Sequence, residues 1–277
     1  MKNIKKIAIL GLGFMGGSLA LALRKKFSAK TFWGYARSRK SFTKLKKLKV
    51  VNKLSQDLEK VIKDADVVIM ALPVEVIVDY FKKISPFLKK GALVFDLGSS
   101  KVAIQKGANK YLPKRVSFVG CHPLCGSEKS GAQFASSKLY ENCLCLITSR
   151  TNKAVNTVKK MWQALGAKVV FMSPQRHDKI LSSVSHLPHL ISFTFSNSVP
   201  KNYAKFAPAS FKDLTRVSVS PALVWAEIFL SNKKNILSDL RRFARNLKKF
   251  ENLLKKNNKK AITELIDKIN SKQRSIS

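Results

Sequence analysis

Acidic residues are scarce in this chain, which has 16 Asp and Glu against 53 Lys and Arg in 277 residues and a formal net charge of +37. No acidic residue occurs between Met1 and Gln56. The basic excess is spread along the chain in short lysine runs and is not gathered into one arm or helix. A genome-wide lysine bias would produce this pattern, so we expect no specific nucleic-acid binding. A basic nucleic-acid-binding protein remains the alternative from a different functional class.

Cysteines and long apolar runs are also few. Four cysteines cannot staple a chain of this length, and they lack the CxxC spacing of a zinc or redox site; they are Cys121, Cys125, Cys143 and Cys145. We therefore expect a reducing, cytoplasmic setting. Four glycines interrupt the apolar stretch at residues 7–23, and no other segment offers about 18 uninterrupted apolar residues. The sequence predicts no membrane span.

Two regions of different periodicity follow one another along the chain. Up to residue 172, short apolar runs alternate with helical patterns, and the run at 65–71 is typical of a strand buried on both faces of a parallel sheet. This alternation predicts an α/β fold with a doubly wound, Rossmann-type parallel sheet. Ser173-Pro174 is a favourable helix start, and no convincing strand follows it. We predict an α/β domain over 1–172 and an all-helical domain over 173–277.

The helical region carries a regular apolar stripe. Its members recur at spacings of three and four residues; they are Ile236, Leu237, Leu240, Phe243, Leu247, Phe250, Leu253 and Leu254. This spacing predicts an amphipathic helix. The stripe packs either within its own domain or partly against a second subunit, and we expect a homodimer.

A glycine-rich turn joins the first predicted strand to the first predicted helix. In a GxGxxG turn, Gly11 permits the tight bend, Gly13 lets the backbone approach a pyrophosphate, and Gly16 lets the helix pack on the strand. This context predicts a nicotinamide dinucleotide cofactor. The candidate cofactor-binding residues near the turn are Gly11, Gly13, Phe14, Met15, Gly16, Leu72 and Pro73.

The end of the second predicted strand bears on which dinucleotide binds. An NAD site has an acidic residue about 20 residues after the turn, but here that position is Ala36. Arg37, Ser38 and Arg39 follow it, and guanidinium and hydroxyl groups suit a 2′-phosphate. We favour NADP. The alternative is that Arg37 stacks on adenine and NAD binds.

Three further polar motifs lie beyond the glycine turn. DLGSSK at 96–101 and GCHPLCGSEKSG at 120–131 each follow a predicted strand, and SHLPH at 185–189 lies on a predicted helix that Pro188 should kink. Together with GxGxxG and FKDLTRVS at 211–218, these motifs resemble the prephenate/arogenate dehydrogenase family of tyrosine biosynthesis, over roughly residues 4–230. The resemblance implies NAD(P)-dependent oxidative decarboxylation of prephenate to 4-hydroxyphenylpyruvate, of arogenate to tyrosine, or of both. It also implies a dinucleotide-binding domain over 1–172 and an all-helical substrate and dimerisation domain over 173–277.

The resemblance also assigns roles to individual residues. His122 matches the family's catalytic histidine, which accepts the proton of the substrate 4-hydroxyl group, and Ser99 matches a serine that bridges that hydroxyl and the histidine. Arg216 matches an arginine that grips a substrate carboxylate. His186 and His189 match a pair that lines the pocket, with His189 the better candidate to contact the side-chain carboxylate.

Several alternatives remain at this site. His186, His189 and Asp178 could ligate zinc, and at helical spacing they would share one polar face. No second carboxylate or thiol stands at an obvious spacing, however, so we expect no metal. Glu128 would favour arogenate, or allow both substrates, if its carboxylate lay near the substrate ammonium group. Another two-domain NAD(P)-dependent hydroxyacid or imine oxidoreductase is the second enzyme hypothesis.

Overall fold

The computed structural model describes residues 4–125, 131–149 and 151–275, which form two compact units divided after Asn232. A parallel sheet of six strands dominates the first unit. Its strands are β1 (Lys6–Leu10), β2 (Thr31–Tyr35), β3 (Lys53–Ser55), β4 (Val67–Met70), β5 (Leu93–Asp96) and β6 (Ser117–Val119). The strand order is β3-β2-β1-β4-β5-β6. This order reverses between β1 and β4 and confirms the predicted Rossmann-type fold.

Helices cover this sheet and connect its strands. They are α1 (Phe14–Lys26), α2 (Arg39–Leu48), α3 (Leu58–Ile62), α4 (Val74–Ile84) and α5 (Val102–Tyr111). Every residue of β4 is buried, as expected of a central parallel strand. Leu10 pairs with both Tyr35 and Met70, so the segments that follow β1, β2 and β4 leave the sheet at one edge. A doubly wound sheet binds its ligands at this edge.

A second, three-stranded sheet follows the first. It contains β7 (Cys121–Leu124), β8 (Leu144–Ile147) and β9 (Lys168–Phe171), with α6 (Lys153–Ala164) between the last two. The alternation of apolar runs and helical patterns predicts β8 and β9 in the main parallel sheet. This prediction is wrong, because β8 pairs antiparallel with β7 and parallel with β9 in a separate sheet. One residue separates β6 from β7, which leaves no room for the crossover that a parallel neighbour requires. The chain therefore turns out of the first sheet at Gly120.

From residue 173 to residue 275 the described chain is free of strands. The first unit ends with α7 (Pro174–Leu181), α8 (Leu187–Ser198), α9 (Ala209–Thr215) and α10 (Ala222–Ser231), and the second unit contains α11 (Lys233–Lys255) and α12 (Lys259–Arg274). The predicted helix start is confirmed, because the Ser173 side chain accepts a hydrogen bond from the backbone N–H of Arg176 at 3.2 Å. None of the helices described combines the length and the apolar character that a bilayer crossing needs.

A π-helical turn, Ser182–His186, separates α7 from α8. Such a turn holds one residue more than an α-helical turn and therefore rotates the following helix relative to the preceding one. Pro188, which has no N–H to donate, lies in the first turn of α8. The irregularity predicted near Pro188 is present as this π turn.

Candidate active site

A cavity of about 880 Å³ opens in the first unit at the sheet edge where β1 and β4 end. The glycine turn, the β5–α5 loop, β7 and the helices after residue 173 all contribute to its walls. It gathers many of the predicted site residues, namely Gly13, Phe14, Met15, Gly16, Leu72, Pro73, Ser99, His122, His186, His189 and Arg216. Residues far apart in the chain thus meet around one space.

The remaining predicted residues lie elsewhere. Gly11 lies outside the cavity lining, but the turn requires glycine at this position. Its φ is +92°, and a Cβ there would lie 2.1 Å from the carbonyl oxygen of Ala71. Arg37, Ser38 and Arg39 are exposed after β2, outside the cavity lining. The Ser38 hydroxyl oxygen accepts a hydrogen bond from the N–H of Ser41 and caps α2. Glu128 lies outside the described residues.

The glycine turn fits a pyrophosphate group. A Cβ on Gly16 would lie 1.9 Å from the carbonyl oxygen of Gly11, so that contact requires glycine. A Cβ on Gly13 would meet no protein atom within 4 Å, and Gly13 borders the cavity. Gly13 is the N-cap residue of α1. No side chain caps this helix, and no acidic residue lies in its first turn. Its N–H groups and positive dipole end can therefore bind an anion, as in dinucleotide sites.

His122, on β7, is half-buried at the cavity wall and belongs to a line of three polar side chains. Its Nδ1 lies 2.9 Å from Nε2 of His177, and Nδ1 of His177 lies 2.8 Å from Oδ1 of Asp178. Burial is the largest cause that lowers the pKa of His122 well below 6.5, and the Lys101 charge adds to it. The ring is therefore neutral near pH 7 and can accept a proton.

A buried ion pair braces the strand that carries this histidine. Lys101 Nζ pairs with the carboxylate of Asp96, and both side chains are almost fully buried. Lys101 Nζ also donates to the carbonyl oxygen of Cys121 at 2.6 Å, while the N–H of Cys121 donates to Asp96 Oδ1 at 3.2 Å. Burial raises the pKa of Asp96, and the Lys101 charge opposes that rise. The brace joins the end of β5 to the start of β7, with Ser99 in the loop between its two charged residues.

The His186 ring has a defined hydrogen-bond partner. Nδ2 of Asn232 lies 3.1 Å from Nδ1 of His186 and also donates to the carbonyl oxygen of Asp178 at 2.7 Å. Because the amide donates, the ring proton of His186 is on Nε2. Burial lowers the pKa of His186 to about 4, so the ring is neutral at physiological pH. A neutral His186 can donate one hydrogen bond from Nε2.

His189 is held by its backbone and by an aromatic ring. Its Nδ1–H donates to the carbonyl oxygen of Ser185 at 2.8 Å, and its ring stacks on Trp225 with centroids 3.6 Å apart. Burial is the largest cause of the lowered pKa of His189, and the nearby Arg216 charge adds to it. The neutral ring therefore has a lone pair at Nε2, and a bound anion would favour the protonated form, which donates there. No sequence pattern singled out Trp225 or Asn232.

Asp178 does not share a face with His189, so the predicted single polar stripe is wrong. The Asp178 carboxylate points to the start of α5, where it accepts the N–H of Lys101 at 2.7 Å and that of Val102 at 3.0 Å. The π turn between α7 and α8 explains the change of face. In the described part of the chain, no three His, Cys, Asp or Glu side chains are grouped to hold a metal ion.

Comparisons with known proteins agree with this arrangement. The family model of the prephenate dehydrogenase nucleotide-binding domain matches residues 19–171, and that of the prephenate dehydrogenase dimerization domain matches residues 173–268. A prephenate dehydrogenase of Lactococcus lactis is 31% identical over 95% of this chain and 75% of its own length. A cyclohexadienyl dehydrogenase of Zymomonas mobilis is 30% identical over 90% of this chain and 88% of its own length.

A solved structure is similar over nearly the whole chain. The crystal structure of prephenate dehydrogenase from Aquifex aeolicus, in complex with hydroxyphenyl propionate and NAD+, has a TM-score of 0.89 to this structure. The two chains are 31% identical, and the match covers 99% of each.

Proposed function

The chain belongs to the prephenate dehydrogenase family and is an NAD(P)-dependent oxidoreductase of the prephenate/arogenate type, and we propose that His122 is its catalytic base. The observation that carries this role is the neutral imidazole at the wall of the cavity that the glycine turn also borders. A nicotinamide dinucleotide whose pyrophosphate binds at that turn would supply the acceptor for the substrate hydride.

The reaction requires a proton to leave the substrate and return to it. His122 takes the proton of the 4-hydroxyl group as hydride leaves C4 and the C4–oxygen double bond forms. When the bond between C1 and the ring carboxylate breaks, carbon dioxide departs and its electron pair completes the aromatic ring. His122 then returns the proton to the same oxygen, which gives a phenol with no net proton released. Aromatisation drives the reaction forward.

The neighbouring side chains orient the substrate. Ser99 lines the same cavity as His122 and is suited to bridge the 4-hydroxyl group and that histidine. The Arg216 guanidinium can bind a carboxylate through two parallel hydrogen bonds. His189, protonated by the approach of an anion, binds the side-chain carboxylate beside it. His186 donates from Nε2 to a substrate oxygen.

For the cofactor, we favour NADP over NAD. Arg37 and Arg39 are exposed beside the first turn of α2, a place where two guanidinium groups and helix N–H groups can meet a 2′-phosphate. The buried Ala36 takes the position of the acidic residue that would bind the ribose hydroxyls of NAD. The similar structure from Aquifex aeolicus holds NAD+. The preference for NADP in this chain therefore rests on Arg37 and Arg39 beside α2 and on Ala36.

We further propose that residues 1–172 bind the dinucleotide and that 173–277 form a substrate and dimerisation domain. On α11, Leu247 and Leu254 are 60% and 63% exposed, which is unusual for large aliphatic side chains on a finished surface. A second copy of the chain would cover them. We also propose a cytoplasmic location, which the four free cysteine thiols support.

The decisive assay supplies prephenate and arogenate separately, each with NADP and with NAD, and follows the absorbance of the reduced nicotinamide. We expect turnover with at least one substrate and a lower KM for NADP than for NAD. Reduction with none of the four pairs would contradict the activity, and a lower KM for NAD would contradict the cofactor choice.

Glu128 offers a test of substrate choice. A carboxylate close to the ammonium group of arogenate favours that substrate over prephenate, which has a keto group there. Glu128→Gln should then shift the ratio of the two kcat/KM values toward prephenate, whereas the control Glu141→Gln, at an exposed position after the motif, should not. An unchanged ratio in Glu128→Gln would reject this role.

A further inference from the structure

Two buried polar side chains behind His122 have no part in the proton transfer described above. His177 is 0% exposed and Asp178 is 1% exposed, and both lie on α7. Nε2 of His177 lies 2.9 Å from Nδ1 of His122, a residue of β7 that stands 55 positions earlier in the chain. Burial of such groups is unfavourable unless every polar atom finds a partner, so their hydrogen bonds define which atoms bear protons.

The Asp178 carboxylate fixes the first proton. Oδ1 accepts the N–H of Lys101 and Oδ2 accepts the N–H of Val102, at the positive end of the α5 dipole. Both oxygens therefore act as acceptors, and a carboxylate can only accept hydrogen bonds. The 2.8 Å contact with Nδ1 of His177 must therefore be donated by the histidine.

The proton on His177 then determines the one on His122. Burial lowers the pKa of His177, so its ring is neutral and presents a lone pair at Nε2. Nδ1 of His122 lies against that lone pair and must donate to it. The other ring nitrogen of His122, Nε2, is left with the lone pair.

We propose that His177 and Asp178 are positioning residues that hold His122 in the tautomer whose Nε2 accepts the substrate proton. The proposal rests on the proposed function, in which His122 is the base. The same contacts stabilise the His122 imidazolium once it has formed, since its Nδ1–H points to a ring that is itself hydrogen-bonded to a carboxylate. This arrangement resembles the way in which a buried carboxylate orients the histidine of other acid–base catalysts.

A matched pair of substitutions at position 177 separates positioning from packing. His177→Phe keeps a ring in the buried space but removes the acceptor, and we expect kcat to fall about 10- to 100-fold, with little change in the KM for the cofactor. His177→Gln offers a carbonyl oxygen as acceptor, and kcat should remain within about threefold of the unmodified enzyme. If both variants fold and their kcat values fall by the same factor, the proposal is wrong. It is also wrong if the kcat of His177→Phe is unchanged.

The tautomer itself can be observed without turnover. Two-bond 1H–15N correlation spectra of the full chain, labelled with 15N-histidine, should show the ring protons of His122 and His177 on Nδ1. His177→Phe should shift His122 toward the Nε2–H form, even if that variant has lost some stability. An Nε2–H form of His122 in the unmodified enzyme would overturn the positioning role. If His122→Asn abolishes turnover while His177→Phe does not, positioning fails and the proposed base stands.

Discussion

The two ends of the cavity differ in the atoms that form them. At the dinucleotide end, the groups suited to bind ligand are backbone N–H groups of the turn at Gly13 and the first turn of α1. At the substrate end they are side chains, above all His122, His186 and His189, whose pKa values are lowered chiefly by burial. Asn232 also donates a hydrogen bond to the ring of His186. Backbone geometry follows from a few adjacent residues, whereas the protonation of a buried ring depends on the whole tertiary structure. Substitutions at the two ends should therefore have separable effects.

His122→Asn should produce the largest functional change, and the effect of this substitution should be confined to the substrate end. Loss of the base should lower kcat by a factor of about 10² to 10⁴, because asparagine cannot take up the hydroxyl proton. Cofactor binding at the glycine turn should be unchanged, which fluorescence titration with reduced dinucleotide would measure. A kcat close to that of the unmodified enzyme, in a folded sample, would contradict the assignment.

Lys101→Met tests whether the substrate end depends on buried side chains for its stability. Removing this cation leaves the carboxylate of Asp96 buried without its ion pair, which should lower the free energy of unfolding by about 3–5 kcal/mol. The control is Lys89→Met, which breaks a partly exposed pair with Asp66 and should change stability by about 1 kcal/mol or less. Urea denaturation of both variants would show this difference, and equal effects would contradict it.

Two alanine substitutions distinguish the roles of the glycines at the dinucleotide end. Gly16→Ala forces a Cβ against the Gly11 carbonyl oxygen and should lower the free energy of unfolding by about 1–3 kcal/mol. Gly13→Ala meets no protein atom and should leave stability within about 0.5 kcal/mol, but its methyl group should raise the KM for the dinucleotide. If Gly13→Ala had no effect on that KM, the pyrophosphate would not lie against the turn.

Arg37→Ala should have the smallest effect and should act on one cofactor only. If its guanidinium binds the 2′-phosphate from an exposed position, the KM for NADP should rise about tenfold while that for NAD stays nearly constant. A control substitution, Arg241→Ala on exposed α11, should change neither value. A parallel rise in both KM values would indicate that Arg37 stacks on the adenine instead.

Local sequence patterns predicted the glycine turn and the start of the helical region. The GxGxxG spacing between a strand and a helix, and the Ser173-Pro174 helix start, are set by neighbouring residues and are present in the structure. A doubly wound parallel sheet was likewise expected from the alternation of apolar runs with helical patterns. Periodicity missed the short strands β3 and β7, and the pairing of β7 with β8 depends on contacts across some 20 residues of chain.

The substrate end was only partly predictable. Family motifs identified His122 and Arg216 without specifying their surroundings. The hydrogen bond between Asp178 and the start of α5 joins residues 77 positions apart in the chain. Helical spacing alone assigned Asp178 to the wrong face, because no sequence pattern predicted the π turn. Asn232 and Trp225 occupy ordinary helical sequence, so only the packed structure could show that they hold His186 and His189.

The central claim is that neutral His122 accepts the substrate proton, and the pH dependence of kcat tests it most directly. Burial is the largest cause that opposes protonation of the ring, and the nearby Lys101 charge adds to it. A histidine whose pKa is lowered by folding stays in its active, neutral form to a lower pH, and the stability it contributes is lost only as the pH falls below 6.5. Circular dichroism should therefore accompany the assay to confirm that the protein remains folded.

The kcat of the unmodified enzyme should be constant from about pH 8 down to 6.5 and should decline only below that value. The residual kcat of His122→Asn should lack this decline. A decline in the unmodified enzyme with its midpoint at or above 6.5, or the same decline in His122→Asn, would contradict the account.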